Sequence, residues 1–181
     1  MKFTEAEIPG IVICEPLIIN DERGFFIESF RKDLFENFKD HSVNFCQENI
    51  SESNFGVLRG LHFQTEPFAQ AKLISVSNGK ILDIAVDLRK NSKFYGKSFS
   101  IELDNFKNKQ IFIPRGFAHG FIVLSKKAKI IYKVDNYYNP KAERGLNYDD
   151  PALKINWKLD KKFILQNEKD KNYPPFKSNS F

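Results

Sequence analysis

Apolar and polar residues alternate along several short stretches of the chain. The clearest is Ile81–Leu88, where four aliphatic side chains share one face and Asp83 and Asp87 lie on the other. Residues 99–103 and 130–134 alternate in the same way. A period of two places successive side chains on opposite faces of a strand, so each stretch predicts a β-strand with one apolar face.

Turn signals rich in Gly, Pro, Asn and Asp separate these stretches at short intervals. Regular punctuation between short apolar runs is typical of a β-sandwich or β-barrel, so we predict an all-β fold. The signals lie at Asp21–Gly24, Ser53–Gly56, Ser77–Gly79, Asn91–Gly96, Asp104–Asn108, Pro114–Gly116 and Asn139–Pro140.

Two segments depart from the strand pattern. Apolar residues at helical spacing predict a short amphipathic helix over Phe30–Asp40. The Lys-rich segment Asp160–Phe181 contains Pro174–Pro175 and is expected to cross the barrel surface as irregular structure or a short helix. No linker interrupts the chain before this segment, so 1–181 is predicted to form a single domain.

Composition fits a globular protein with one core. The chain has 181 residues, is 41% hydrophobic and carries a formal net charge of +5. Most of the excess charge lies in residues 154–181, which contain seven lysines and three acidic residues, so the sequence indicates no nucleic-acid partner.

The apolar runs Ile11–Cys14 and Leu17–Ile19 are too short for a membrane span, which favours a cytoplasmic protein. Cys14 and Cys46 show no metal-ligand spacing and are expected to be reduced, packed thiols.

Two of the three histidines lie in strings that are similar to halves of a cupin motif. GVLRGLHFQ places Gly56 six residues before His62, as in G-x5-H-x-H, but Gln64 occupies the second histidine position. IPRGFAHGF carries His119 in a P-x-G-x-x-H pattern. Because a metal cupin needs three or four converging ligands, we expect no metal here, and His62 could equally be a core histidine bonded to the backbone.

Several cationic and aromatic residues are candidates for binding or proton transfer. Arg23 and Arg59 each adjoin a glycine, and their guanidinium groups suit bidentate contacts to phosphate, although any arginine beside a turn looks similar. Lys72 begins a predicted strand and could point into the barrel. Tyr132 and Tyr138 are either core aromatics or, if one faces a pocket, proton donors.

Eight strings, in order along nearly the whole chain, resemble the dTDP-4-dehydrorhamnose 3,5-epimerase family. The resemblance implies a jelly-roll, cupin-type β-barrel that forms a homodimer and uses neither a metal nor an organic cofactor. It implies a nucleotide-diphosphate 4-keto-6-deoxy sugar as substrate, epimerised at C3 and C5 on the way to dTDP-L-rhamnose for surface polysaccharide. The strings are DERGFFIESF, QENISESNFGVLRGLHFQ, QAKL, ILDIAVDLRKNS, IPRGFAHGF, IYKVDNYYNP, ERGLNYDDPAL and NEKD.

The same resemblance implies a catalytic group. His62 would be the base, with Asp170 as its acidic partner and Asp83 as the alternative partner. Lys72 would stabilise the enolate oxygen at C4, and Tyr132 would return the proton from the opposite face. These roles agree with the chemistry, because a ketone at C4 acidifies the C–H bonds at C3 and C5.

The remaining matched positions would bind the substrate. Two arginines would take the pyrophosphate, two polar residues would add hydrogen bonds, two residues of the DERGFFIESF string would contact the base, and three residues would line the sugar end. In the same order these are Arg59 and Arg23; Gln47 and Ser51; Glu28 and Phe26; His119, Tyr138 and Glu143. The resemblance also implies that the DERGFF segment reaches the site of the neighbouring subunit.

Other activities stay open at this point. Within the family, the substrate could be another nucleotide-linked sugar, such as a GDP-4-keto heptose, or epimerisation could occur at C3 alone. A metal-dependent cupin enzyme and a catalytically silent sugar-binding cupin are the two readings outside the family.

Overall fold

A computed structural model describes residues 1–39 and 42–178. Across these residues thirteen strands form three sheets, accompanied by two short α-helices. The strands are β1 (Lys2–Glu5), β2 (Val12–Glu15), β3 (Ile18–Asp21), β4 (Gly24–Ile27), β5 (Gln47–Asn54), β6 (Leu58–Gln64), β7 (Lys72–Asn78), β8 (Lys80–Asp87), β9 (Ser98–Asp104), β10 (Gln110–Ile113), β11 (Phe117–Val123), β12 (Lys127–Val134) and β13 (Glu143–Gly145); the helices are α1 (Lys32–Lys39) and α2 (Glu168–Lys171).

Two antiparallel sheets form the body of the fold. One has the order β1-β2-β10-β7-β12-β5 and the other the order β13-β6-β11-β8-β9. Aliphatic residues from both sheets, such as Ile74, Ile111 and Ile130 from the first and Ile81 and Ala85 from the second, pack into one buried cluster between them. This sandwich of antiparallel sheets confirms the predicted all-β, jelly-roll class.

Strand β8 is buried on both faces. Leu82, Ile84 and Val86 point away from the barrel interior and belong to a buried cluster with Trp157, against which Ile164 and Phe176 of the C-terminal segment pack. The opposite face points inward and includes Asp83, whose exposed fraction is 0%. The alternation over Ile81–Leu88 therefore marks two buried faces, and the polar one lines the barrel interior.

Helix α1 covers the outer face of the six-stranded sheet. It begins two residues later than predicted and extends to Lys39; Asp40, the predicted last residue, lies outside the described residues. Phe35 is buried against Phe112 of β10, with 4.8 Å between ring centroids. The predicted apolar face is thus used for packing on the sheet.

The C-terminal segment crosses the five-stranded sheet and partly enters the fold. It contains a 3-10 turn at Lys161–Phe163, helix α2 and a second 3-10 turn at Phe176–Ser178. Asp170 in α2 is only 2% exposed, so this residue of the segment is buried in the fold. The predicted end of the segment, 179–181, lies outside the described residues.

Both cysteines are free thiols, but only Cys14 is buried, and burial raises its pKa to about 12. Cys46 is exposed, which corrects the expectation that both are packed. Within the described ranges, none of the helices has the length and apolar character that a membrane crossing requires.

Candidate active site

A pocket of about 320 Å³ opens between strands of the two main sheets. Strands β5, β6, β7, β12 and β13 and the loop that follows β12 contribute its walls. Its lining residues are Gln47, Asn49, His62, Phe63, Gln64, Gln70, Lys72, Tyr132, Tyr138 and Glu143. Six of the predicted site residues are therefore brought together in one pocket.

His62 and Asp170 form a hydrogen-bonded pair at this pocket. The distance between His62 Nε2 and Asp170 Oδ1 is 2.9 Å, and the second carboxylate oxygen accepts a 2.9 Å bond from the Gly60 backbone N–H. Asn167 caps α2 by accepting a 2.7 Å bond from the Asp170 N–H. Burial raises the pKa of the Asp170 carboxyl, but the bonds from His62 and Gly60 outweigh burial and hold the pKa below its ordinary value. The carboxylate is thus fixed as an anion behind the imidazole.

Gly60 is required for this arrangement. Its φ is +120°, and a Cβ there would lie 2.6 Å from the Gly120 Cα of the neighbouring strand β11. Only glycine allows both the backbone conformation and this close approach. The bend brings the Gly60 N–H to Asp170, two residues before His62.

Lys72 and Tyr132 project into the same pocket from neighbouring strands. In the register of β12 and β7, Tyr132 pairs with Ile74 and Val134 pairs with Lys72. Burial lowers the pKa of the Lys72 ammonium to about 8, although the charges of Asp83 and Glu143 act in the opposite direction. Burial also raises the pKa of the Tyr132 hydroxyl, which keeps its proton in place.

A second histidine–aspartate pair lies in the barrel interior. His119 Nε2 is 2.8 Å from Asp83 Oδ2, and His119 is opposite His62 in the register of β11 and β6. His119 is 8% exposed and is not among the residues that line the pocket, so its expected contact with the sugar stays a prediction. Asp83 pairs with His119, whereas Asp170 pairs with His62. Burial lowers the pKa of His119, which favours the neutral ring.

Glu143 contacts two side chains at the rim of the pocket. It accepts a 2.6 Å hydrogen bond from the Tyr138 hydroxyl and forms an ion pair with Lys169. The Gln47 side-chain oxygen accepts a 3.1 Å bond from the Tyr138 N–H. Burial raises the pKa of Glu143, but the bonds from Lys169 and Tyr138 bring it below its ordinary value. The rim therefore combines an aromatic ring with paired charges.

Arg59 and Ser51 lie near the pocket without being part of its lining. Arg59 is exposed, its Nε donates a 3.1 Å hydrogen bond to Ser53 Oγ, and its charge acts on the Tyr132 hydroxyl. The Ser51 hydroxyl oxygen is buried and has no hydrogen-bond partner among the described residues. Both side chains have hydrogen-bonding capacity available close to Tyr132.

The hairpin formed by β3 and β4 carries the remaining predicted residues away from this pocket. Arg23 pairs with Asp21 at 2.5 Å, and Phe26 is 62% exposed. Glu28 lies after the hairpin and pairs with Arg31 at 3.4 Å. None of the three lines the pocket of its own chain. The roles expected of Arg23 at the pyrophosphate and of Phe26 and Glu28 at the base, in the site of the neighbouring subunit, stay predictions.

Comparison with known proteins gives a consistent picture. The sequence model described as "dTDP-4-dehydrorhamnose 3,5-epimerase" matches residues 5–178. The enzyme of that name from Shigella flexneri is 43% identical over 97% of this chain and 96% of its own length. The chain belongs to the dTDP-4-dehydrorhamnose 3,5-epimerase family. It is therefore an isomerase.

Solved structures of the family superimpose on nearly the whole chain. A dTDP-4-dehydrorhamnose 3,5-epimerase from Elizabethkingia anophelis has a TM-score of 0.96 and 43% identity, covering 100% of this chain and 99% of its own. A dTDP-6-deoxy-D-glucose-3,5-epimerase from Legionella pneumophila, solved in complex with dTDP-4-keto-L-rhamnose, has a TM-score of 0.92 and 40% identity, covering 96% and 92%.

Some site residues escape sequence reasoning. Lys169 precedes Asp170 in the NEKD string, but nothing in the string shows that it pairs with Glu143. Asn49 lies two residues after Gln47 on β5, so a period of two could have found it. Tyr173 places its ring 5.6 Å from the His62 ring, in a contact that no local pattern signals. Over residues 1–39 and 42–178, no three His, Cys, Asp or Glu side chains group together as a metal site.

Proposed function

We propose that this epimerase inverts C3 and C5 of dTDP-4-dehydro-6-deoxy-D-glucose, giving dTDP-4-dehydro-L-rhamnose, with His62 as the base. The observation that carries the proposal is the His62–Asp170 pair, which faces Lys72 and Tyr132 across one pocket. The family membership and the dTDP-4-keto-L-rhamnose complex of the Legionella pneumophila relative support the choice of substrate.

The first step is removal of a proton from a carbon next to the C4 ketone. Neutral His62 takes this proton, and the electron pair of the C–H bond moves to the carbonyl to give an enolate. The Asp170 carboxylate, 2.9 Å from the imidazole, stabilises the positive charge that the ring gains. The step is redox-neutral, so the protein needs no electron acceptor for it.

Lys72 is placed to stabilise the enolate. Its ammonium group lines the pocket with His62, and a buried cation next to a developing oxyanion lowers the barrier more than the same charge in water. We therefore assign the C4 oxygen of the substrate to the Lys72 side of the pocket.

Tyr132 completes the inversion. Its hydroxyl keeps its proton because burial raises its pKa, and it can donate that proton to the carbanion carbon on the face opposite His62. Removal on one face and return on the other inverts the centre. His62 then releases its proton to solvent and Tyr132 regains one from solvent, and repeating the cycle at the second carbon gives the 3,5-epimer.

The diphosphate is assigned to the polar surface beside Tyr132. The exposed Arg59 guanidinium suits phosphate oxygens, and the unpartnered Ser51 hydroxyl can donate to them. Gln47 would add a hydrogen bond to the diphosphate, Tyr138 and Glu143 would contact the substrate at the rim, and His119 would line the sugar end.

We also propose that the chain works as a homodimer with a shared site. The β3–β4 hairpin exposes Ile19, Phe25 and Phe26, and Leu17 just before it is also exposed; together they form an apolar surface of the kind that marks a protein interface. Docking of this hairpin on a second copy would bring Arg23, Phe26 and Glu28 to the partner's pocket. In a closed dimer each subunit would then complete the site of the other.

A cytoplasmic location fits the cysteines. Cys46 is an exposed free thiol, and such thiols persist in a reducing compartment.

The experiment is to incubate the protein with dTDP-4-dehydro-6-deoxy-D-glucose in D2O and follow deuterium at C3 and C5. Deuterium at both carbons, with the 3,5-epimer as product, is the expected result. Deuterium at C3 alone would show that the enzyme epimerises only C3 and would overturn the assignment of C5 as a second reacting carbon. No exchange with the dTDP sugar, together with exchange of a GDP-linked 4-keto sugar, would overturn the nucleotide assignment.

A further inference from the structure

Gln64 occupies the position where a metal-binding cupin carries its second histidine, and its side chain has a different task here. It lies two residues after His62 on β6 and is 8% exposed. Its amide nitrogen donates a 2.6 Å hydrogen bond to the Phe68 carbonyl and a 3.2 Å bond to the Tyr137 carbonyl. Its oxygen accepts a 2.6 Å bond from the Asn139 N–H.

The two bonds to the 137–139 segment flank Tyr138. The Tyr137 carbonyl belongs to the peptide group before Tyr138, and the Asn139 N–H belongs to the peptide group after it. The Gln47 side-chain oxygen accepts from the Tyr138 N–H at 3.1 Å, and Gln70 donates to the Asn136 carbonyl at 2.7 Å. Three glutamines from different parts of the pocket wall therefore hold the backbone of this loop.

Loops are the mobile parts of most folds, so a loop that carries a binding side chain needs such bonds to hold a defined position. Tyr138 reaches from the loop to Glu143 at the rim. Gln64 pairs with Glu143 in the register of β6 and β13. Gln64 is therefore linked both to the backbone on either side of Tyr138 and to β13, the strand that carries the hydrogen-bond partner of the Tyr138 hydroxyl.

We propose that Gln64 is a positioning residue that fixes Tyr138 at the rim of the pocket and thereby sets the affinity for the substrate. The inference rests on the proposed function, in which Tyr138 contacts the substrate away from the reacting carbons. Gln64 lines the same pocket, but its side-chain hydrogen bonds go to the backbone on both sides of Tyr138 and to Phe68, so we assign its effect to Tyr138 and not to the transferred proton.

The test compares Gln64→Met, which keeps the length of the side chain and removes its hydrogen bonds, with Tyr138→Ala and the double variant. Loss of the bonds that flank Tyr138 should raise KM about tenfold while kcat changes less than about threefold. The double variant should be no worse than Tyr138→Ala, because the two residues act in one chain of contacts. Independent effects that multiply in the double variant would overturn the proposal.

A second readout requires no substrate. The Asn139 amide proton should exchange slowly with solvent in the wild-type protein and at least about tenfold faster in Gln64→Met. Asn105→Leu is the matched control, because Asn105 accepts a 2.9 Å bond from the Gly79 N–H in a turn at the opposite end of β7 from Lys72. This control should alter neither KM nor the exchange of Asn139.

The two readouts separate the possible failures. A wild-type protein that does not turn over the dTDP sugar contradicts the proposed function, and Asn139 exchange then decides the role of Gln64 alone. If the Asn139 amide proton exchanges at the wild-type rate in Gln64→Met, the positioning role of Gln64 is overturned, whatever the activity of the variant. If Gln64→Met does not fold, Gln64→Asn, which shortens the side chain by one methylene, carries the same expectations.

Discussion

The Asp170 carboxylate is held by the fold independently of His62. Gly60 donates to one oxygen, Asn167 bonds to the Asp170 backbone, and His62 contacts the other oxygen. Asp170→Asn should keep this geometry while removing the negative charge that supports a protonated imidazole. We expect kcat to fall about 10²–10⁴-fold with KM changed little, measured by steady-state epimerisation. A kcat within threefold of wild type would show that His62 works without this partner.

Lys72 makes the reaction sensitive to alkaline pH. Burial lowers its pKa to about 8, so the ammonium loses its proton as pH rises through this value. If the charge stabilises the enolate, kcat/KM should decline above pH about 8 with that apparent pKa. Lys72→Met should be much less active and should lack this alkaline limb; an unchanged limb in that variant would assign it to another group.

Stability separates this loss of activity from unfolding. Because the pKa of Lys72 in the folded protein lies below its ordinary value of 10.5, the unfolded chain binds more protons between pH 8 and 10.5. This group therefore increases the free energy of unfolding as pH rises across that window. Denaturant titrations should show that the free energy of unfolding of wild type rises relative to that of Lys72→Met between pH 8 and 10.5. The activity of wild type should fall over the same pH range.

Replacing Tyr132 with Phe should uncouple the removal of the proton from its return on the opposite face. In Tyr132→Phe, His62 can still remove a proton, so exchange of substrate hydrogen with solvent should continue in part. Productive inversion should fall about 10²-fold or more, because no acid remains on the opposite face. Exchange and epimer formation are followed together by NMR in D2O. A variant that forms the epimer at the wild-type rate would exclude Tyr132 as the donor.

At the scale of elements, the apolar face of α1 is a stabilising contact. Phe35 is buried against Phe112, whereas Phe38 on the same helix is 42% exposed. Phe35→Ala should lower the free energy of unfolding by about 3–5 kcal/mol, as other buried aromatic truncations do. Phe38→Ala is the matched control and should cost clearly less in the same denaturant titration. Equal losses would mean that α1 does not pack as described.

The elements also show how far sequence reasoning reaches. The period of two in β8 and β12 predicts the strands, and the spacing of Phe30, Leu34, Phe35 and Phe38 predicts α1 within two residues of its start. Periodicity cannot show that both faces of β8 are buried. The other sheet covers the face with Asp83, and the C-terminal segment covers the apolar face.

The site was accessible to sequence reasoning mainly through family motifs. His62 and Asp170 are 108 positions apart, and only the complete fold brings them within 2.9 Å. Neither His119 nor Arg23 lines this pocket in its own chain, which the motifs alone could not show because a sequence does not give the direction of a side chain. The three-glutamine contact with the Tyr138 loop has no local signal for the same reason.

At the scale of the whole molecule, the shared dimer site can be tested by complementation. Arg23→Ala and His62→Ala should each be nearly inactive alone. A hybrid dimer would contain one site with both changes and one site with neither, so co-expression should restore about a quarter of wild-type activity, given random pairing of equal subunits. Co-expression of His62→Ala with Lys72→Met, both on the same barrel, is the control and should restore none. Absence of recovery in the first pair would contradict a shared site.

The central claim is that His62 removes a carbon-bound proton of the dTDP sugar, and the most direct measurement compares solvent deuterium incorporation by wild type and His62→Ala. At saturating dTDP-4-dehydro-6-deoxy-D-glucose in D2O, we expect incorporation at C3 and C5 to fall about 10²–10⁴-fold in the variant. A correctly folded variant that still binds the substrate and incorporates deuterium at the wild-type rate would contradict the account.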